Sequence, residues 1–177
     1  VSFTTPLAVV PSSTLVADNT LEAAPGSTTY FPHVLTNTGT GADSYTLAVT
    51  SLPGAFVLGG LAIYPDANGD GLPDSLVPVS APVVLAAGQS FRFLVRAQMP
   101  GGGVAGTAGR LQVTAVGAIP GAATLANIDT ATVPAAGTLP PSGVAVYKSF
   151  SVVEGPSPYD SIVVSLRYGN AGPAVTD

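Results

Sequence analysis

Glycine and proline interrupt this chain every few residues, with 21 Gly and 17 Pro among 177 positions. An interior proline costs a helix about 3 kcal/mol and an interior glycine about 1 kcal/mol. No stretch between the breaks is long enough for a helix to offset that. The intervening segments are rich in Thr, Val, Ile, Leu, Tyr and Phe, which suit a pleated sheet. The chain is therefore expected to be all-β.

Period-two alternation supports this. In SYTLAVTS, Tyr45, Leu47 and Val49 share one face, and Thr46, Ala48 and Thr50 the other. In QSFRFLVRAQM, Phe91, Phe93, Val95 and Ala97 alternate with Arg92, Leu94, Arg96 and Gln98, a half-buried strand with two arginines on its wet side. In GRLQVTAVG, Leu111, Val113 and Ala115 alternate with Gln112, Thr114 and Val116. Further strands are predicted at 3–10, 14–22, 28–37, 56–63, 82–85, 122–133, 144–153 and 160–168. Turn signals separate them: PGS, NTGTG, LPG, AAGQ, PGGG, IPG and EGPSP. PGGGVAGTAG, between two strands, reads as a flexible hairpin loop. Many short strands at this spacing predict an immunoglobulin-like β-sandwich, and the absence of cysteine and tryptophan excludes an antibody-type domain.

Composition narrows function. The chain is 46% hydrophobic and 8% charged, where about 25% charged is usual. It has no run of about 18 apolar residues, so no membrane insertion of this segment is expected. Net charge is −5, and Lys148 is the single lysine. Without a basic stripe for phosphates, nucleic acid is excluded as a partner. Without cysteine there is neither disulfide nor thiolate chemistry. The first residue is Val1, which reads as a cleaved signal peptide or a cut from a longer protein. A chain poor in Lys and Glu and rich in Thr, Ser, Ala, Gly and Pro reads as an extracellular or cell-surface module.

His33 is the only histidine, and no Ser–Asp pair is placed in sequence to serve it. His-based nucleophilic catalysis and transition-metal sites are set aside on that ground. No Gly-Lys-Ser/Thr phosphate loop and no dinucleotide fingerprint occurs. No catalytic residues are assigned, and the chain is not expected to be an enzyme.

YPDANGDGLPDS holds the densest acidic cluster. Asp66, Asn68 and Asp70 stand at positions 1, 3 and 5 of a calcium-type loop, with Gly71 at 6, the Leu72 carbonyl at 7 and Asp74 at 9. Position 12 is Val77 rather than Glu, and Pro73 opposes a flanking helix, so this is not a complete helix-loop-helix hand. The spacing is similar to the DxNxDGxxD loops of thrombospondin type 3 repeats. Calcium is therefore the expected cofactor, in the weak extracellular range of about 10⁻⁴–10⁻³ M. The competing reading is an Asx-rich turn whose side chains cap their own backbone.

The sequence also repeats itself. STTYFPHVLTNTGTGADSYT ends a strand in Asn37-Thr38-Gly39, and YDSIVVSLRYGNAGPAVTD ends one in Asn170-Ala171-Gly172. Aligning the asparagines brings Glu22 near Glu154 and Asp43 near Asp177. Such a period predicts two related domains. VSLRYGNAGPAVTD, and less closely HVLTNTGTGADSYTL, resembles the conserved-repeat module called domain of unknown function eleven, carried in many copies on large bacterial and archaeal surface proteins. The resemblance implies an Ig-like sandwich, an extracellular setting and a structural or adhesive role, with no catalytic residues.

The expected organisation is an N-terminal stretch of strands at 1–19, donated to or shared with a neighbouring module, then a sandwich at 20–135 carrying the calcium-type loop. A linker at 136–143 follows, then the first strands of a second, incomplete Ig-like module at 144–177. Two isolated strands are marginal in water. An N-terminal strand with Val1, Phe3, Leu7 and Val9 is therefore expected to complete the half-sheet carrying Val163, Ser165 and Arg167 of a neighbouring copy, building a filament. Tandem neighbouring modules in a longer chain would serve equally. Lys148 is a candidate for an isopeptide cross-link to Asn170 with Glu154 assisting, or a solvated edge lysine. The alternative function is an adhesin or carbohydrate-binding module, which needs an exposed tyrosine platform.

Overall fold

The computed structural model describes residues 8–134 in full and the backbones of 144–153 and 161–170. The chain divides into two units, Val1–Val133 and Pro134–Asp177.

The first unit is an immunoglobulin-like β-sandwich. One sheet has the order β1 (Ser13–Val16), β3 (Thr28–Asn37), β7 (Ser90–Gln98), β5 (Gly59–Pro65). The other has the order β2 (Thr20–Glu22), β9 (Thr124–Thr132), β8 (Ala108–Gly117), β4 (Asp43–Leu52), β6 (Val83–Leu85). Every pairing is antiparallel except β2 with β9, which is parallel. The inward residues follow the alternation: Phe31 and Leu35 on β3, Phe93 and Val95 on β7, Leu111 and Val113 on β8 are all buried. Each contributes roughly 1.5–3 kcal/mol by leaving water. Leu94 is the exception, fully buried although it points away from that core. It lies on the outer face of its sheet, opposite Pro32 on one neighbour and Tyr64 on the other.

Four expectations change. The stretch 14–22 is not one strand. β1 lies on β3, and after Ala17-Asp18-Asn19 the chain crosses to β9 as β2. The boundary expected at residue 20 thus falls inside the sandwich, because Ser13–Val16 already pairs with Val34–Asn37 of the same unit. Ala8–Val10 is not a strand but lies along the loop after β3: the Val10 N–H donates to Thr40 Oγ1 (2.8 Å), the Thr40 N–H to the Val10 carbonyl (3.1 Å), and the Val9 side chain lies against Gly41. Val1, Phe3 and Leu7 lie outside the described residues. Finally, PGGGVAGTAG is not a hairpin. It leads from β7 in one sheet to β8 in the other, so its glycines serve a crossing between layers.

Pro32 sits in mid-strand on β3 without disrupting the sheet. Its carbonyl accepts from Asn19 Nδ2 (3.1 Å), so its missing N–H faces the edge that β1 has vacated. Proline is tolerated on such an edge because no ladder bond is lost there.

In the second unit, β10 (Val144–Val153) and β11 (Ser161–Asn170) pair antiparallel over ten residues, with Val144 opposite Asn170. Val163, Ser165 and Arg167 are all on β11. Lys148 is on β10 and Asn170 ends β11, whereas Glu154 lies outside the described residues.

Candidate functional site

The acidic loop follows β5 and carries the chain toward β6, from one sheet to the other. Its five predicted ligand residues are close together but engaged with the loop itself. Asp66 is buried, with Oδ1 accepting the Asp70 N–H (3.1 Å) and Oδ2 the Gly71 N–H (3.3 Å). Asn68 Oδ1 accepts the Asp70 N–H (3.2 Å), and its Nδ2 donates to Asp70 Oδ2 (2.9 Å). Asp70 Oδ1 accepts the Leu72 N–H (2.8 Å), and Asp74 Oδ2 the Ala67 N–H (2.5 Å). Gly69 and Gly71 turn the chain at φ 71° and 80°, a region side chains rarely adopt. This is the self-capping Asx geometry. Among the described residues no three acidic or histidine side chains gather round a point that could hold a metal. Arg92 places its guanidinium over Gly69 in the middle of this loop, and its carbonyl accepts the Asp66 N–H (3.1 Å).

A second polar cluster lies between the sheets. His33 on β3 and Asp129 on β9 meet through Nε2 and Oδ2 at 2.9 Å, with both side chains fully buried. Asp129 Oδ1 accepts from the Asn19 backbone N–H and from Asn19 Nδ2, both at 3.0 Å. Asp18 Oδ1 accepts the Ile128 N–H at 2.7 Å. His33 stacks on Phe93 with ring centroids 5.3 Å apart, and its Nδ1 is buried without a hydrogen-bond partner. The histidine therefore has an acidic partner 96 residues away in sequence, but the third member is an asparagine rather than a nucleophile. Asp129 was missed in the sequence because no local motif marks it. A signal existed: Asn127 and Asp129 occupy inward positions of an otherwise apolar alternation, Leu125 to Val133.

The Asn-x-Gly turn is a third cluster. Asn37 is buried, and its Nδ2 donates to the carbonyls of Leu85 and Gly41, both at 2.9 Å, while its Oδ1 accepts the Gly39 N–H (2.9 Å). Leu85 belongs to the opposite sheet, so one side chain closes the turn and joins the layers. A Cβ on Gly39 would lie 2.6 Å from the Val10 carbonyl oxygen, which is why glycine stands there. Nearby, Asp43 Oδ1 accepts three backbone N–H groups, from Ser44, Ala118 and Ile119. Burial pushes the Tyr45 phenol above the ordinary tyrosine range, a hydrogen bond with Ser13 pulls it down, and the Asp43 charge adds to the rise.

The tyrosines do not form a platform among the described residues. Tyr45 is in the core, and Tyr30 and Tyr64 are half-buried on the outer face of the β3–β7–β5 sheet.

No protein-family model matches the sequence, and no curated protein matches it. Solved structures are similar in fold. PapD-like domain 7 of human CEP192 matches at 16% identity over 76% of this chain and 95% of that one, with a TM-score of 0.43. A family 123 glycoside hydrolase from Clostridium perfringens matches at 8% identity with a TM-score of 0.51, over 76% of this chain. The native α2-macroglobulin of E. coli matches at 20% identity and a TM-score of 0.43, over 84% of this chain. The matched regions span 28% of the hydrolase and 8% of the macroglobulin.

Proposed function

We propose that this chain is a non-catalytic structural module of an extracellular assembly, a layer, fibre or filament built from tandem or self-associating Ig-like units. The observation that carries the reading is the shared register at the two asparagines of the Asn-x-Gly motifs, Asn37 and Asn170. Ser13 lies opposite Asn37 where β1 meets β3, and Val144 lies opposite Asn170 where β10 meets β11. The same two-strand start occurs twice in one chain, as a repeat protein requires. β11 pairs only with β10 among the described residues, whereas its counterpart β3 has both β1 and β7 as neighbours. The other edge of β11 is the place for a further strand, from a neighbouring module or from another copy.

The polar clusters fit this role, since each joins backbone to backbone or sheet to sheet. Calcium would add to the stiffness of the acidic loop by drawing Asp66, Asp70 and Asp74 from N–H groups they already serve, so its binding requires rearrangement. An adhesin of the aromatic-platform kind gains no support from the half-buried tyrosines.

The test is electron microscopy and light scattering of the full chain, in calcium and in chelator, beside a variant lacking residues 1–7. That deletion spares the bonds of Val10. Filaments that require calcium and residues 1–7 are the outcome expected of strand donation. Filaments unchanged by either condition would reject donation and the calcium contribution while keeping the module. A well-folded monomer at high concentration, in all conditions, would reject self-assembly.

A further inference from the structure

The chain enters the sandwich through β1 and β2 and leaves it through β9. β2 and β9 run parallel, with Thr20, Leu21 and Glu22 opposite Thr130, Ala131 and Thr132. In a parallel pair, the start of one strand and the end of the other lie at opposite ends of the ladder. Tension applied where the chain enters and leaves is therefore directed along the strands and loads all their hydrogen bonds at once. We infer that the β2–β9 seam is a mechanical clamp and that the first sandwich is built to carry tension along the chain.

The seam is reinforced beyond its three residue pairs. The Thr130 N–H donates to the Asn19 carbonyl (2.8 Å) and the Ala23 N–H to the Thr132 carbonyl (3.0 Å). Asp18 and Asn19 add the bonds to Ile128 and Asp129 described above. Residues 18–23 are thus tied to residues 128–132 without a gap. Asp129 is in turn held by His33 on the opposite sheet. A slip of β2 along β9 therefore has to break the Asn19 bonds to the Asp129 carboxylate, which the contact with His33 holds in place. β1 adds a second sheared pair, since it too is pulled along its axis against β3. Resistance to force is governed by the unfolding rate, so interactions that must break early matter more than total stability. This inference stands on the geometry of the first unit and holds whether or not the chain assembles into fibres.

The absence of cysteine allows handles to be placed at will. Two double variants of the full chain are compared by single-molecule force spectroscopy. Ala8→Cys with Pro134→Cys pulls along the seam. Ala24→Cys with Pro134→Cys pulls from the end where β2 and β9 both finish, so the seam opens one bond at a time. At equal force the second geometry is expected to unfold at least about tenfold faster. In the first geometry, Asn19→Ala should raise the forced unfolding rate by about tenfold, corresponding to about 1.4 kcal/mol in the barrier. In the second geometry it should have a much smaller effect. Asp18→Ala, at an exposed residue, tests the same seam if the Asn19 variant folds poorly. Equal unfolding rates in the two geometries, or variants that act equally in both, would overturn the clamp.

Discussion

The two Asn-x-Gly copies start alike and then part. β1 stays beside β3 for four residues and leaves, whereas β10 stays beside β11 for ten. In the first unit the last strand, β9, offers an edge in the other sheet, and Asp18, Asn19 and Asp129 draw the chain onto it. In the second unit no such strand lies among the described residues. Where β1 leaves its partner is thus set jointly by the residues that follow it, Asp18 and Asn19, and by the far end of the module that receives them. The mechanical consequence is equally uneven. Load applied at Val144 and Asn170, which face each other, would open that ladder bond by bond, while the first sandwich is loaded in shear.

The largest expected effect tests what makes β1 turn away. Asp129→Ala leaves His33 and Asn19 without their buried partner, and removing one member of such a pair costs about 3–5 kcal/mol. Urea unfolding should show this loss in the transition of the first unit. An unchanged midpoint would mean that the switch needs no polar anchor. A middle-sized effect separates the copies. Asn37→Ala strips the buried carbonyls of Leu85 and Gly41 of a donor, for a loss of about 2–3 kcal/mol. Asn170→Ala has no opposing sheet to lose among the described residues and should change stability by less than about 0.5 kcal/mol. Equal costs would show that the second unit is already complete in this chain.

The smallest effect concerns the position where one copy has Ser13 and the other Val144. Ser13→Val removes the hydroxyl whose interaction lowers the Tyr45 pKa and should cost at most about 1 kcal/mol. Because the folded-state pKa of Tyr45 is raised, its contribution to stability is intact below about pH 10 and is lost as the pH climbs above that, where the unfolded chain ionises first. The Ser13 interaction opposes the rise, so the variant should lose more stability above about pH 10 than the parent. Denaturant titrations at pH 8 and at several points above 10 would check this, and parallel curves would refute it.

What could be read from the sequence divides along the same line. The strands β3, β4, β7 and β8 were legible because alternation is local, as in Phe31, His33, Leu35 and Asn37. The all-β class followed from Gly and Pro for the same reason. The break at residues 17–19 was not legible, because its cause includes Asp129, 110 residues away from Asn19. The glycine-rich stretch after β7 was misjudged likewise: a turn is visible in its residues, but the sheet that receives the next strand is not. His33 was seen and its acid was not. Asp66, Asn68, Asp70 and Asp74 were read correctly as one loop, while spacing alone could not say whether their oxygens face an ion or the backbone.

That loop has one more implication. Nearly every bond that shapes residues 66–74 starts and ends within them, and its ties to the sandwich are chiefly the Asp66 N–H to Arg92, the Asp74 N–H to Pro65 and the packing of Arg92 on Gly69. Such a segment carries its own instructions for folding. It is portable: grafted between two strands of an unrelated sandwich whose ends match in spacing, it would adopt the same shape, and the residues beneath it are free to change as long as an arginine-like arm still reaches the central glycine.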